Sequence, residues 1–167
     1  MGAFTYPRSE PGSAGHQDLV ERLNGQIAAL RSAIAGVSDP VLGRPNGDGW
    51  SMKDVVGHLC DVSHVLHERL RRMITLEEPK LLAYDAEQMK AEKNASAMRL
   101  EDLLSEYATQ RSSTVEMLSE LVHWNWARPG RHPKLGRISI RQQVELWLEH
   151  EDDHLAQIAS MREAASA

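Results

Sequence analysis

The sequence of 167 residues has a single cysteine, Cys60, no long hydrophobic run and no excess of basic residues. One cysteine excludes a disulfide within the chain and is typical of a reducing compartment. No apolar stretch approaches the roughly 20 residues of a membrane-spanning helix, so we predict no membrane partner. The 24 acidic and 19 basic residues give a net charge of −5. This balance argues against a nucleic-acid partner, which would need a basic surface.

The first fifteen residues are rich in Pro, Gly and Ser and include no apolar segment. We therefore expect residues 1–15 to form a flexible tail rather than a signal peptide, and the protein to be cytoplasmic. Residues 16–165 have the length and hydrophobic content of one ordinary domain.

Hydrophobic residues recur at helical spacing in four segments. These segments cover about residues 17–35, 52–74, 100–123 and 140–162. The second and fourth open on capping-box patterns, Ser51-Met-Lys-Asp54 and Ser139-Ile-Arg-Gln142. No segment shows the alternation of a strand, so the sequence predicts an all-α four-helix bundle.

The connections between these helices predict how they are arranged. Residues 37–50 and 124–137 contain Pro and Gly, are predicted to be loops, and are short enough to join antiparallel neighbours. The connection 75–98, with a short helix at about 82–93, is longer. Such a link can cross the bundle and let the second and third helices run parallel.

Three histidines are predicted to point into the bundle. His150 and His154 lie one helical turn apart within the apolar stripe of the fourth helix, and His58 lies in the stripe of the second. His64 and His67 fall on the opposite side of the second helix and should face solvent. Buried imidazole nitrogens are stabilised if the three rings share a metal ion. The alternative is three core histidines with ordinary hydrogen-bond partners.

The segment His150-Glu-Asp-Asp-His154 also matches the H-E-x-x-H pattern of zinc proteases. That reading needs a third ligand downstream, and the 13 residues after His154 contain no His or Asp. We therefore do not predict a protease. Glu151 is a candidate general base or second-sphere partner of the metal, with a rim carboxylate paired to an arginine as the equal alternative.

Basic and aromatic residues alternate in the last loop. Arg131 and Arg137, with Trp126 and with Trp147 of the fourth helix, are candidate substrate-binding residues, because a guanidinium can hold a carboxylate. The alternative is a solvated loop, since exposed arginine is common.

The residues from about 18 to 161 resemble the DinB-like superfamily. The resemblance rests on Trp50-Ser51, on His58-Leu-Cys-Asp61, on His132-Pro-Lys-Leu-Gly136 and on His150 to Ile158. It implies an up-down-down-up bundle, often homodimeric, in which one divalent ion, Zn or Ni, is bound by His58, His150 and His154. Many members look like thiol-S-transferases that use bacillithiol, mycothiol or glutathione, and others are thiol-dependent isomerases. The resemblance therefore implies a low-molecular-weight thiol cosubstrate, but no motif in the sequence identifies the substrate.

Three hypotheses of function follow. In the first, the metal activates a small-molecule thiol for attack on an electrophilic small-molecule substrate. In the second, a metal-bound water hydrolyses the substrate, with Glu151 as base. In the third, the protein is a metal-binding stress-response module without enzymatic activity.

Overall fold

The computed structural model describes residues 15–167, so the predicted tail lies, apart from Gly15, outside the described residues. Within that range four long helices form the body of the protein: α1 His16–Ile34, α3 Met52–Thr75, α5 Leu100–Ser119 and α6 Ile140–Ser166. The connections contain two shorter helices, α2 Asp39–Leu42 and α4 Ala86–Lys93, and two strands, β1 Pro129–His132 and β2 Gly136–Ser139. No helix in residues 15–167 is long and apolar enough to cross a membrane.

Both predicted capping boxes are present, and they fix where α3 and α6 begin. Ser51 Oγ accepts the Asp54 backbone N–H at 3.0 Å, and the Asp54 carboxylate accepts the Ser51 N–H at 3.0 Å. Ser139 and Gln142 exchange the same pair of bonds at 3.1 and 2.9 Å. Because these two helices carry the three predicted ligands, the caps set which face each histidine occupies.

The four-helix bundle predicted from the sequence is confirmed, but the neighbours differ from those expected. Among the four long helices, α1 and α3 each pack against α5 and α6. Helices joined by the connections 35–51 and 120–139 therefore lie across diagonals of the bundle instead of side by side. These connections have room to span a diagonal because they contain, respectively, α2 and the β1–β2 pair.

The predicted loop 124–137 is not structureless, which corrects the expectation of no strands. A short 3₁₀ helix, His123–Ala127, is followed by an antiparallel hairpin of β1 and β2 in which His132 pairs with Gly136. Gly136 has φ 75°, which favours glycine at this tight turn. Strands of four residues are too short to show an alternating pattern in the sequence.

The hairpin is also tied to the long connection after α3. The Arg131 N–H donates to Pro79 O at 2.8 Å, and the Leu81 N–H donates to Arg131 O at 2.9 Å. The hairpin and the segment 79–85 thus form a wall beside α3 and α6, and this wall borders the cavity described below.

Candidate metal centre

His58 on α3 and His150 and His154 on α6 meet between the two helices, as the helical wheels predicted. One ring nitrogen of each residue lies within 4.8 Å of one nitrogen of each of the others. The ring centroids are 5.5 Å apart for His58 and His150, 4.8 Å for His58 and His154, and 4.5 Å for His150 and His154. In the described part of the chain this is the one group of three or more His, Cys, Asp or Glu side chains with such spacing.

The hydrogen bonds of His154 determine which nitrogen faces the cluster. Its Nδ1 lies 2.8 Å from Gln157 Oε1, an acceptor, so Nδ1 carries the proton and Nε2 keeps a lone pair. That Nε2 is 3.1 Å from Nε2 of His150. Two nitrogens bound to one divalent ion at its usual bond lengths are about 2.9–3.4 Å apart. The observed separation therefore suits two ligands of one ion.

Burial keeps the imidazoles of His58 and His150 neutral, which is the form that binds metal. It lowers the pKa of His58 to about 3, with His154 and then His150 contributing further. Burial, and then His154, lowers the pKa of His150 to about 4, against a smaller opposing effect of Asp153. At neutral pH the cluster therefore offers nitrogen lone pairs and little positive charge to repel a cation.

The residues present fit a divalent ion. His58 Nδ1 and His150 Nδ1 are buried and have no hydrogen-bond partner among residues 15–167. Buried polar atoms are normally satisfied, so the orphaned nitrogen of His58 has capacity for an added partner. On His150 the nitrogen toward His154 is Nε2, and its 3.1 Å separation from His154 Nε2, not the orphaned Nδ1, fits a shared ion. Three imidazoles are also a donor set that leaves coordination positions open for a small molecule.

Two adjoining cavities give access to the histidines. The smaller, about 260 Å³, is lined by all three, together with Asp48, Trp50, Tyr84, Ala86 and Gln157. The larger, about 600 Å³, lies between α3, α6, the segment 83–87 and the hairpin turn. Tyr84, Ala86 and His150 line both. A molecule in the larger cavity would therefore reach the edge of the histidine cluster.

The other histidines of α3 and Cys60 lie elsewhere. His64 is exposed and bonds Glu106 at 3.0 Å, as its predicted outward position requires. His67 is half-buried and bonds Thr114 Oγ1 at 2.8 Å, so it faces α5 instead of open solvent. Burial, first among several causes, raises the pKa of the Cys60 thiol to about 12, and its Sγ bonds Leu103 O at 3.1 Å.

Glu151 points away from both cavities into the core, where it is 1% exposed. Its Oε2 accepts from Arg111 Nη2 and from Trp147 Nε1, the latter at 3.1 Å. Burial raises the pKa of Glu151 to about 8 and lowers that of Arg111 to about 9, whereas their mutual contact favours the charged form of both. This is an arginine-paired carboxylate, but buried rather than at the rim that the sequence suggested.

The structure separates the four predicted substrate-binding residues. Arg131 and Arg137 are exposed, pair with Glu78, and line neither cavity beside the histidines. Trp126 is buried at a separate cavity, stacked on His16. Trp147 alone of these four lines the larger cavity. The hairpin lines the larger cavity through the residues of its turn, 132–135.

Residues near the site that the sequence did not indicate come from other connections and from α3. Asp48 and Tyr84 reach the histidines from irregular segments, where no periodic pattern predicts direction. Arg69 is buried at the larger cavity. A helical wheel of α3 places Arg69 on the same inward side as His58, because Arg69 lies 11 residues, about three turns, after His58.

A four-helix bundle with three converging histidines between two helices defines a class of metal-binding bundle proteins. The chain belongs to the DinB superfamily, whose family model matches residues 22–158.

Curated relatives are described as candidate metal-dependent hydrolases. One from Oceanobacillus iheyensis is 30% identical over 113 residues, which are 68% of this chain and 65%, just under two thirds, of that protein. Another from Geobacillus kaustophilus is 25% identical over 167 residues, covering 97% of this chain and 92% of its own.

Among solved structures, YfiT from Bacillus subtilis is similar, with a TM-score of 0.88 and 21% identity over 97% of this chain and 94% of that one. It is described as a candidate metal-dependent hydrolase with an unusual four-helix bundle topology. At this identity the likeness shows the fold.

Proposed function

We propose that this protein is a metal-dependent enzyme in which His58, His150 and His154 hold one divalent ion. The observation that carries the proposal is the convergence of three imidazoles at the edge of a cavity, with the Nε2 atoms of His150 and His154 3.1 Å apart. A closed structural site would surround its ion with four protein ligands, whereas three leave room for a substrate. The relatives described as metal-dependent hydrolases support the same class of chemistry.

The ion, when bound, would supply a thiolate or hydroxide at neutral pH by lowering the pKa of a coordinated thiol or water. The chain's own residues prepare the site. Gln157 holds the His154 ring in the tautomer that presents Nε2. Trp50 meets the His58 ring edge-on with centroids 5.7 Å apart and limits its rotation. Tyr84 forms the wall between the two cavities.

The reaction we propose first is thiol-S-transfer. The sulfur of a small-molecule thiol would bond to an electrophilic carbon of the substrate, the leaving group would depart with its electron pair, and the thiol proton would pass to solvent. This chemistry needs no protein base, which agrees with the burial of Glu151 in an ion pair. Bacillithiol, mycothiol and glutathione are candidate cosubstrates, and Zn and Ni are candidate metals.

Hydrolysis is the second proposal, favoured by the description of the relatives. A base would then have to accept a proton from water beside the histidines. The carboxylate that lines their cavity is Asp48, whose Oδ1 also accepts the Trp50 N–H at 2.9 Å. Asp48 therefore replaces Glu151 as the candidate base. Homodimer formation and a cytoplasmic location stay predictions.

Elemental analysis of untagged protein followed by thiol titration of the cobalt-substituted form tests the proposal. We expect close to one metal per chain and a sulfur-to-metal charge-transfer band on addition of thiol, because an open position can accept a thiolate. Protein without metal, before and after reconstitution, would refute a metal-dependent enzyme. Bound metal with no thiol band, together with ester or amide hydrolysis lost in Asp48→Asn, would favour the hydrolase.

A further inference from the structure

Arg69 of α3 is a buried cation without an acidic partner. Its exposure is 4%, and none of the ion pairs in the described residues includes it. Arg111, which is fully buried, shows the usual arrangement, because it contacts the Glu151 carboxylate. A buried charge with no counter-ion is costly. The Tyr84 ring, whose centroid lies 5.7 Å from Arg69 Cζ, offsets part of this cost through a cation–π contact, and no carboxylate offsets the rest.

The hydrogen bonds of Arg69 leave part of its guanidinium unused. Nε donates to Leu82 O at 2.9 Å, Nη2 donates to the same oxygen, and Nη1 is 3.4 Å from Gln143 Oε1. A guanidinium has five N–H groups, and these contacts use three, one of them at long range. A carbonyl and an amide satisfy donors without neutralising the charge. The Nη1–Nη2 edge has N–H groups left that can bind a bidentate acceptor such as a carboxylate.

Arg69 lies on the wall of the larger cavity, together with His132 and Lys134 of the hairpin turn. His132 Nδ1 accepts the backbone N–H groups of Lys134 and Leu135 at 3.1 and 3.2 Å, so its Nε2 carries the proton as a donor. Burial, then Arg69, then Lys134, lowers the pKa of His132 to about 4. Arg69 and Lys134 therefore both act on the part of the cavity around His132.

The acidic residues of this cavity do not neutralise Arg69. Asp85 accepts the Gln88 N–H at the start of α4, and Glu87 accepts Trp50 Nε1. Glu149 and Asp153 are exposed on α6, where solvent screens them. None of the four lies within ion-pair distance of Arg69 among the described contacts.

We propose that Arg69, assisted by the His132 Nε2–H, is an anion subsite, and that the substrate or cosubstrate is an acidic small molecule. Its carboxylate would lie at Arg69 while its reacting group reaches the histidine cluster across the wall shared by Tyr84 and His150. The assignment rests on the proposed function, since it names the class of molecule that site would use. A carboxylate and a phosphate offer the same acceptor chemistry, and the experiment separates them.

The experiment is calorimetric titration of the metal-loaded protein with glutarate, with its neutral diamide and with inorganic phosphate. We expect Arg69→Gln to weaken glutarate binding by about tenfold or more, the loss typical of a charge-assisted hydrogen bond. The diamide should bind both proteins alike. The glutarate affinity of Arg69→Lys should lie between those of the wild type and Arg69→Gln, because lysine keeps the charge and loses the bidentate guanidinium edge. If phosphate binds more tightly than glutarate, and Arg69→Gln weakens phosphate binding by the factor expected for glutarate, the subsite would be assigned to phosphate groups.

Arg128→Gln is the matched control. Like Arg69, Arg128 donates two N–H groups to main-chain oxygens, here Met73 O and Leu76 O, but it does not line the cavity. It should leave glutarate binding unchanged. Glutarate affinity equal in wild type and Arg69→Gln would overturn the subsite, as would equal weakening of acid and diamide with a lower unfolding temperature. If the protein binds metal but glutarate binding does not depend on Arg69, only the subsite is refuted. If glutarate binding depends on Arg69 but the protein binds no metal, only the proposed function is refuted.

Discussion

His150 and Glu151 are consecutive residues of α6, yet they belong to two polar clusters with opposite properties. Glu151 faces the core, where Arg111 and Trp147 bind its carboxylate, and Arg111 also donates to Gln26 Oε1 at 2.7 Å. His150 faces the cavity, where its neighbours are two other imidazoles and its Nδ1 lacks a partner among residues 15–167. Both clusters include buried atoms without a partner among residues 15–167, among them Glu151 Oε1 and His150 Nδ1. They differ in charge, because the core cluster pairs a cation with a carboxylate and the histidine cluster has no group of opposite charge.

This difference separates structural polar groups from functional ones. A buried polar network stabilises a particular packing only when its members satisfy each other. A binding site must instead leave donors or acceptors for its ligand. The core cluster of Arg111 and Glu151 is structural, because its opposite charges meet and neither residue lines the cavities beside the histidines. The histidine cluster, and Arg69 beside it, are prepared for ligands that the chain does not provide.

The largest effect should follow from breaking the core pair. Arg111→Met leaves Glu151 buried without its cation, and we expect a loss of about 3–5 kcal/mol in the free energy of unfolding. The double variant Arg111→Met/Glu151→Leu should recover much of it, because neither charge then remains. Urea denaturation measures both. A loss below about 1 kcal/mol in the single variant would show that the pair is not the structural element we describe.

Breaking the other cluster should change metal content instead of folding. His58→Ala should reduce bound metal from about one equivalent to near zero while the helical circular dichroism signal persists, because the apolar core carries the bundle. Elemental analysis measures the metal. The double variant His64→Gln/His67→Gln is the control and should keep its metal. Full metal in His58→Ala, or loss in the control, would mean that the α3 ligand is misassigned.

A smaller effect should follow from the residue that orients a proposed ligand. Gln157→Leu removes the acceptor for His154 Nδ1, and we expect metal affinity to fall by about 10–100-fold. Competition with a chromogenic chelator measures the affinity. Gln88→Leu provides the comparison, since Gln88 bonds Glu92 at the surface of α4. Equal affinities in the two variants would remove Gln157 from the site.

The smallest effect concerns pH and the hairpin turn. The pKa of His132 is about 4 in the folded protein and near its ordinary value of 6.5 when unfolded. The unfolded chain therefore binds more protons between these values, so this stabilisation is present above pH 6.5 and is lost as pH falls toward 4. In metal-free protein, His132→Gln should reduce the loss of unfolding free energy between pH 6.5 and 4 by no more than about 1 kcal/mol, because solvent screens the half-buried ring. Urea denaturation from pH 4 to 7 measures the slope, and identical slopes would contradict the assignment.

The features that local sequence determines were predicted well. Helix starts followed from the two capping boxes, and the inward positions of His58, His150 and His154 followed from helical period alone. Both signals involve residues within a few positions of each other, so one segment contains all the information. The strands of the hairpin were missed because four residues cannot show a reliable period.

Partners across helices were decided only by the tertiary structure. The sequence placed Glu151 at the edge of an apolar stripe, but only packing of α5 against α1 and α6 brought Arg111 to its carboxylate. In the same way, the basic loop indicated Arg131 and Arg137, whereas the fold turned them toward Glu78 and left Arg69 at the cavity. The period of a helix determines which way a side chain points. Which group it meets depends on how the helices pack, and spacing within one segment does not specify that.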